Sequence, residues 1–216
     1  MRLDELIREF QRRFDAKTAA REQALSASRS AIRFSANAIR AIHRSEVDES
    51  ERLMGEARAA LDRGLEGVAE HPDVRYAGYL QDAQKEYAEA RITAALVAGR
   101  EVPDVDEVGV ESAPYLNGMA EAIGEVRRHI LDLLRKGETG RSEELLTSME
   151  DMYSVLVSID YPDAITMHLR RSTDVARGIM EKTRGDLSLS LVQRDLRDAL
   201  ERHAGRVLGA DRKERG

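Results

Sequence analysis

The sequence predicts an all-α protein, and three observations carry that reading. Ala, Leu, Arg and Glu dominate the 216 residues, and each is a strong helix former. Aromatic residues make up only 4% and prolines number four, so the core is built from aliphatic side chains with few interruptions. Apolar residues recur at the 3.6-residue period through most of the chain, and no alternating run of Val, Ile, Thr and Tyr competes with it.

Seven helices follow in order. The first spans about Leu3 to Arg44, with a break expected near Lys17-Thr18, and ends at Ser45-Glu46-Val47-Asp48. The second runs from Glu49 to about Glu70 and stops at His71-Pro72, because proline biases the residue before it away from helix. Asp73 caps the third, which carries Tyr76, Leu80, Ala83, Tyr87, Ala90, Ala94 and Val97 on one stripe and reaches Gly99. The acidic stretch from Glu101 to Pro114 reads as the longest loop. The fourth helix, Pro114 to Lys136, has a stripe of Leu116, Met119, Ile123, Val126, Ile130 and Leu133 and is stopped by Gly137. The fifth runs from Ser142 to Ile159 with Leu145, Leu146, Met149, Met152, Val155 and Leu156 inward. After Tyr161-Pro162 a sixth covers Asp163 to about Arg184, ended by Gly185-Asp186, and a seventh covers Leu189 to about Leu208. One domain, residues 1–208, is therefore expected, followed by a polar tail, 209–216, too poor in apolar residues to fold.

Composition excludes several chemistries. There is no cysteine, hence no disulfide, thiolate metal site or thiol nucleophile, and five scattered histidines do not suit a multi-His zinc site. No apolar stretch approaches the length needed to span a bilayer, and charged residues follow Met1 in place of a secretion signal, so a cytoplasmic protein without a membrane partner is expected. The net charge of −6 argues against a uniformly basic nucleic-acid clamp. Its distribution is uneven, however. Residues 1–44 hold ten Lys/Arg against five Asp/Glu, and the remaining residues hold 24 against 35. Within the basic segment Arg21, Arg29, Arg33, Arg40, His43 and Arg44 are candidate phosphate contacts; Arg29, Arg33 and Arg40 fall along one helix face. With almost no Phe or Trp, stacking platforms for bases are not expected, and phosphate and shape recognition is the more natural mode.

The candidate catalytic residues are Glu86, Glu89, Glu121 and Glu125. The first two are three apart on the third helix and the last two are four apart on the fourth, so each pair projects from one helix face. Like charges at that spacing repel, and two such pairs call for cationic partners or a hard metal ion. From spacing alone a solvated face fits: Glu121 and Glu125 lie roughly opposite the Leu116/Met119/Ile123 stripe, and Arg128 follows three residues after Glu125. A ferritin-like di-metal bundle is disfavoured because no Glu-x-x-His occurs on the matching helices. A helical phosphohydrolase acting on nucleotides stays open.

With these helices and acid pairs in place the chain resembles the translin family, particularly its archaeal members and the translin-associated factor X branch, over residues 20–205. Ser28-Arg29, Ile32, Ser35, Ile39 and Ile42-His43-Arg44 match the family's first-helix pattern. Glu86-Tyr87-Ala88-Glu89-Ala90 is similar to an EYVEA element, and Tyr115-Leu116-Asn117-Gly118 through Gly124-Glu125 to a Y-L-x-G-x-x-D-x-x-G-E element, with weaker support from Asp160-Tyr161-Pro162 and Leu169-Arg170-Arg171. The resemblance implies a seven-helix bundle assembled into a hollow homo-oligomer, an octamer, that binds single-stranded or short RNA, or single-stranded DNA, on its inner surface. In the factor X branch it further implies endoribonuclease activity with Mg²⁺, for which Mn²⁺ can substitute. Glu86, Glu89 and Glu125 match three acids of that branch, and Glu121 stands where the family has Asp, one methylene longer with the same charge. Such a site would hold the metal with Glu86, Glu89, Glu121 and Glu125. The alternative is a non-catalytic nucleic-acid-binding oligomer of the translin type.

Overall fold

The computed structural model describes residues 2–213, with side chains through residue 205. Among the described residues there are no strands. Six long helices carry the architecture: α1 (Leu3–His43), α2 (Val47–Glu66), α4 (Tyr79–Val97), α6 (Ser112–Lys136), α7 (Thr139–Ser158) and α9 (Leu169–Lys213), with single turns of helix at α3 (Pro72–Arg75), α5 (Val105–Val108) and α8 (Asp163–Thr166). None is long and apolar enough to cross a membrane.

The helices pack as neighbours in two linked groups. α1 lies against α2 and α4; α6 bridges from α4 to α7 and α9, which also pack together. The α1 face is made almost entirely of small residues, Ala24, Ala31, Ala38 and Ala41, all with no accessible surface, and this allows close approach of its neighbours. Larger side chains fill the α4, α6 and α7 layers, where Ile92, Ile123, Ile130, Leu145 and Met149 are fully buried. Each such residue contributes roughly 1.5–3 kcal/mol by leaving water.

Several helix boundaries differ from the sequence reading for identifiable reasons. α1 is unbroken at Lys17-Thr18, where Lys17 is tied to Asp73 by an ion pair. The third expected helix is divided: Pro72 opens the single turn α3, and Gly78, at φ 102°, turns the chain before α4 begins. Tyr76 is thereby left exposed and off the core stripe. The expected 101–114 loop contains α5, capped by the Asp104 carboxylate, which accepts from the amides of Asp106 and Glu107. Val108 of α5 is buried, anchoring the segment to the core. At the other end, Gly185-Asp186 does not terminate a helix. α9 continues through it to Lys213, and so the expected sixth and seventh helices are one, preceded by the turn α8 and a break at Met167 and His168, both at positive φ. Of the expected tail, 209–213 belongs to α9 and 214–216 lies outside the described residues. Val155, expected inward on the fifth helix, is exposed.

Candidate metal centre

The crossing of α4 over α6 depends on Gly118. A Cβ there would lie 2.6 Å from the Lys85 carbonyl oxygen, 2.8 Å from the Ala88 Cβ and 3.0 Å from the Glu89 amide nitrogen, so the two backbones meet at a point only glycine permits. Asn117 beside it donates to the Thr166 carbonyl at 2.8 Å and accepts from the Ser172 hydroxyl at 2.8 Å, fastening the start of α9 to the same place. Local packing therefore fixes three helices around one point.

That point gathers acids. Glu86 and Glu89 descend from α4 and Glu121 from α6, one helical turn beyond Gly118, and each offers a carboxylate oxygen within 4.8 Å of the others. Glu89 is only 9% exposed and has no hydrogen-bond or ion-pair partner among the described residues. Desolvation, reinforced by the charges of Glu86, Glu121 and Glu125, pushes its pKa up to about 8. Desolvation also raises the Glu86 pKa, with Lys85 opposing it. Among the described residues Lys85 is the cation that pairs with the trio: its Nζ donates to Glu121 Oε1 at 2.7 Å and lies 3.4 Å from Glu86 Oε1. Burial lowers the Lys85 pKa, but the two carboxylates outweigh it and the ammonium is held above its ordinary value.

A cleft of about 390 Å³ opens onto the acids, lined by Glu89, Ala120, Glu121, Arg171, Ser172, Val175 and Ile179. The donor set suits a hard divalent cation: carboxylate oxygens only, beside a cleft with room for retained water. Glu86, Glu89 and Glu121 are the residues that would hold it.

Glu125 is placed differently. One turn further along α6, its Oε2 accepts from His43 Nε2 at 2.5 Å, and Arg128 Nη1 stands 4.0 Å away. The His43 side chain is 4% exposed and its Nδ1 is buried without a partner. That hydrogen bond, ahead of desolvation, holds the Glu125 carboxyl below the usual range. His129, also half-buried, has its pKa lowered by desolvation and then by the charge of His43.

The basic candidates separate as well. Arg21, Arg29, Arg33, Arg40 and Arg44 are exposed, whereas His43 is not on their surface. Arg21 and Arg44 pair with Glu22 and Glu46, Arg40 donates to Asn37, and Arg33 lies over the Phe34 ring. Arg29 has no carboxylate partner among the described residues. Sequence reasoning passed over Lys85, Arg171 and Ser172 as site residues. Lys85 adjoins Glu86 and could have been noticed there, but nothing in spacing places Arg171 and Ser172, some fifty residues past Glu121, beside the acids.

No family model matches the chain. An uncharacterized protein of Methanocaldococcus jannaschii is 32% identical over 188 residues, covering 86% of this chain and 83% of that protein. A solved complex of AfC3PO with duplex RNA is 32% identical, with a TM-score of 0.79 over 87% of this chain and 97% of the other. AfC3PO alone superposes with a TM-score of 0.80 at the same identity, covering 87% of this chain and 98% of that one. NeC3PO without ligand, 21% identical, shares the fold with a TM-score of 0.71 over 87% of this chain and 96% of its own. The sequence elements, the helical architecture and these likenesses agree: the chain belongs to the translin family.

Proposed function

We propose that this protein is a translin-type RNA-binding oligomer that cuts RNA with a divalent cation, Mg²⁺ or Mn²⁺. The observation that carries the reading is the buried, partnerless Glu89 set against Glu86 and Glu121 at the glycine crossing of α4 and α6. Three acids on adjoining helices repel one another when ionised, and a divalent cation between them would offset that repulsion. RNA as the partner is supported by AfC3PO, which has been solved with duplex RNA.

When bound, the cation supplies an acidified water and offsets charge at the phosphate. The chain does the rest. Gly118 and Asn117 hold α4, α6 and the start of α9 in fixed register, and so orient the carboxylates. Glu89, raised to about 8 in the absence of a cation, would give up its proton on becoming a ligand. Arg171, exposed on the cleft lining, is placed to bind a phosphate oxygen. The exposed arginines of α1 supply further backbone contacts. Assembly is supported by exposed apolar stripes: Leu3, Ile7, Phe10 and Phe14 on α1, and Leu189, Val192, Leu196 and Leu200 on α9.

The test is cleavage of an end-labelled single-stranded RNA, and of its duplex, with Mg²⁺ or EDTA, beside a Glu86→Ala/Glu89→Ala variant. Internal cuts that need the cation and vanish in the variant, with binding retained, are expected. RNA that is bound but never cut would make the protein a binding shell.

A further inference from the structure

We infer that Lys85 is an internal counter-ion of the acidic site: its ammonium group holds the cation's place between Glu121 and Glu86, and a divalent ion must displace it to bind. The inference rests on the metal reading above and adds the regulation of that site by the chain's own lysine.

Three observations lead to it. The Lys85 Nζ contacts two of the three carboxylates that lie within 4.8 Å of one another, at 2.7 Å to Glu121 and 3.4 Å to Glu86. An ion bridging that trio competes for the same oxygen lone pairs. The Lys85 backbone cannot retreat, because its carbonyl is the atom pressed against Gly118, leaving 2.6 Å for a Cβ that glycine lacks. Only the side chain can leave, and its flexible four-carbon stem with 22% of its surface accessible gives it a path to the rim. The third observation is what it leaves out: Lys85 pairs with Glu86 and Glu121 but not with Glu89, which has no ion-pair partner among the described residues. A lysine thus stabilises the empty site without satisfying it.

The consequence is a concentration threshold. A monovalent ion offers no more charge than the ammonium already present, whereas a divalent ion does, so the lysine raises the cation level needed to fill the site and favours divalent over monovalent occupancy.

Calorimetric titration of Mn²⁺ into the full chain, without RNA and at fixed pH, tests this in the parent, Lys85→Met and Lys85→Arg. Removing the competitor should tighten Mn²⁺ binding about tenfold in Lys85→Met, the order expected for losing a charge-assisted hydrogen bond, while Lys85→Arg stays near the parent. Equal or weaker binding in Lys85→Met overturns the counter-ion role and leaves the metal site standing. So does an Arg variant that tightens as much as the Met variant. If no protein binds Mn²⁺, the metal reading itself fails and takes the inference with it. Should Lys85→Met not fold, the parent suffices. The chain has only five lysines, and reductive methylation read by mass spectrometry should show Lys85 labelled faster with Mn²⁺ while Lys136 and Lys182 are unchanged. Protection or no change at Lys85 contradicts displacement.

Discussion

Glu89, buried, and Glu125, half-buried, both stand at the α4–α6 layer, yet one has no partner and the other has a histidine. At the Gly118 crossing, backbone contact forces Glu86, Glu89 and Glu121 together and leaves the innermost with a pKa of about 8. One turn along α6, His43 reaches from the end of α1 and holds Glu125 below its ordinary range. The difference teaches how a helical bundle makes identical side chains behave differently: a carboxyl that packing isolates among other acids keeps its proton to higher pH, whereas a carboxylate that packing pairs becomes a strut. The pair also gives a reason for the deep burial of the His43 side chain.

The sharpest way to break the contrast is to pry the crossing open. Gly118→Val should cost about 3 kcal/mol or more in urea unfolding, since its first methyl-bearing carbon already meets backbone. Gly124→Ala, on the same helix with its nearest neighbour 3.8 Å away, should be neutral or stabilising by up to about 1 kcal/mol. Comparable losses at the two glycines would show that the crossing is not special.

Next come opposite pH signatures. Glu89 has a folded pKa raised above its unfolded value, so its contribution favours the fold at low pH and is lost as pH rises from about 4.5 through about 8. Glu89→Gln, free of cation, should therefore gain on the order of 1–3 kcal/mol relative to the parent at pH 8 and much less at pH 5. Glu125 has a depressed folded pKa, so its contribution is present above the unfolded value and is lost as pH falls. Glu125→Gln should cost roughly 1–2 kcal/mol at pH 7 and less at pH 4. Thermal unfolding across pH measures both, and slopes of the same sign would erase the distinction. The smallest effect is expected far from the acids. Arg29→Ala should weaken RNA binding two- to tenfold, independent of sequence, and flatten the salt dependence by roughly one counter-ion. A salt slope unchanged from the parent would remove α1 from the RNA path.

Much of this architecture was legible in the sequence because the α6 stripe and its Gly137 stop, the α7 apolar positions and the two acid pairs are all local patterns. What escaped is non-local. The His43–Glu125 pair joins residues 82 apart, and no spacing rule connects them. The helix division at Gly78 and the absence of one at Gly185 are both single-glycine decisions: Gly78 sits at φ 102°, and Gly185 is exposed within α9 with open space around it. A glycine alone does not announce which of these it will be. The acids were found as four and fold as three plus one, because helical spacing reports the face of a residue but not the partner across from it.

The most direct measurement is Mn²⁺ binding, by calorimetry, to the parent, Glu89→Gln and Glu125→Gln. Binding that is lost in Glu89→Gln and kept within about threefold in Glu125→Gln, a change worth well under 1 kcal/mol, is the expected result. Undiminished binding in Glu89→Gln, or its loss only in Glu125→Gln, would contradict a metal centre at the Gly118 crossing.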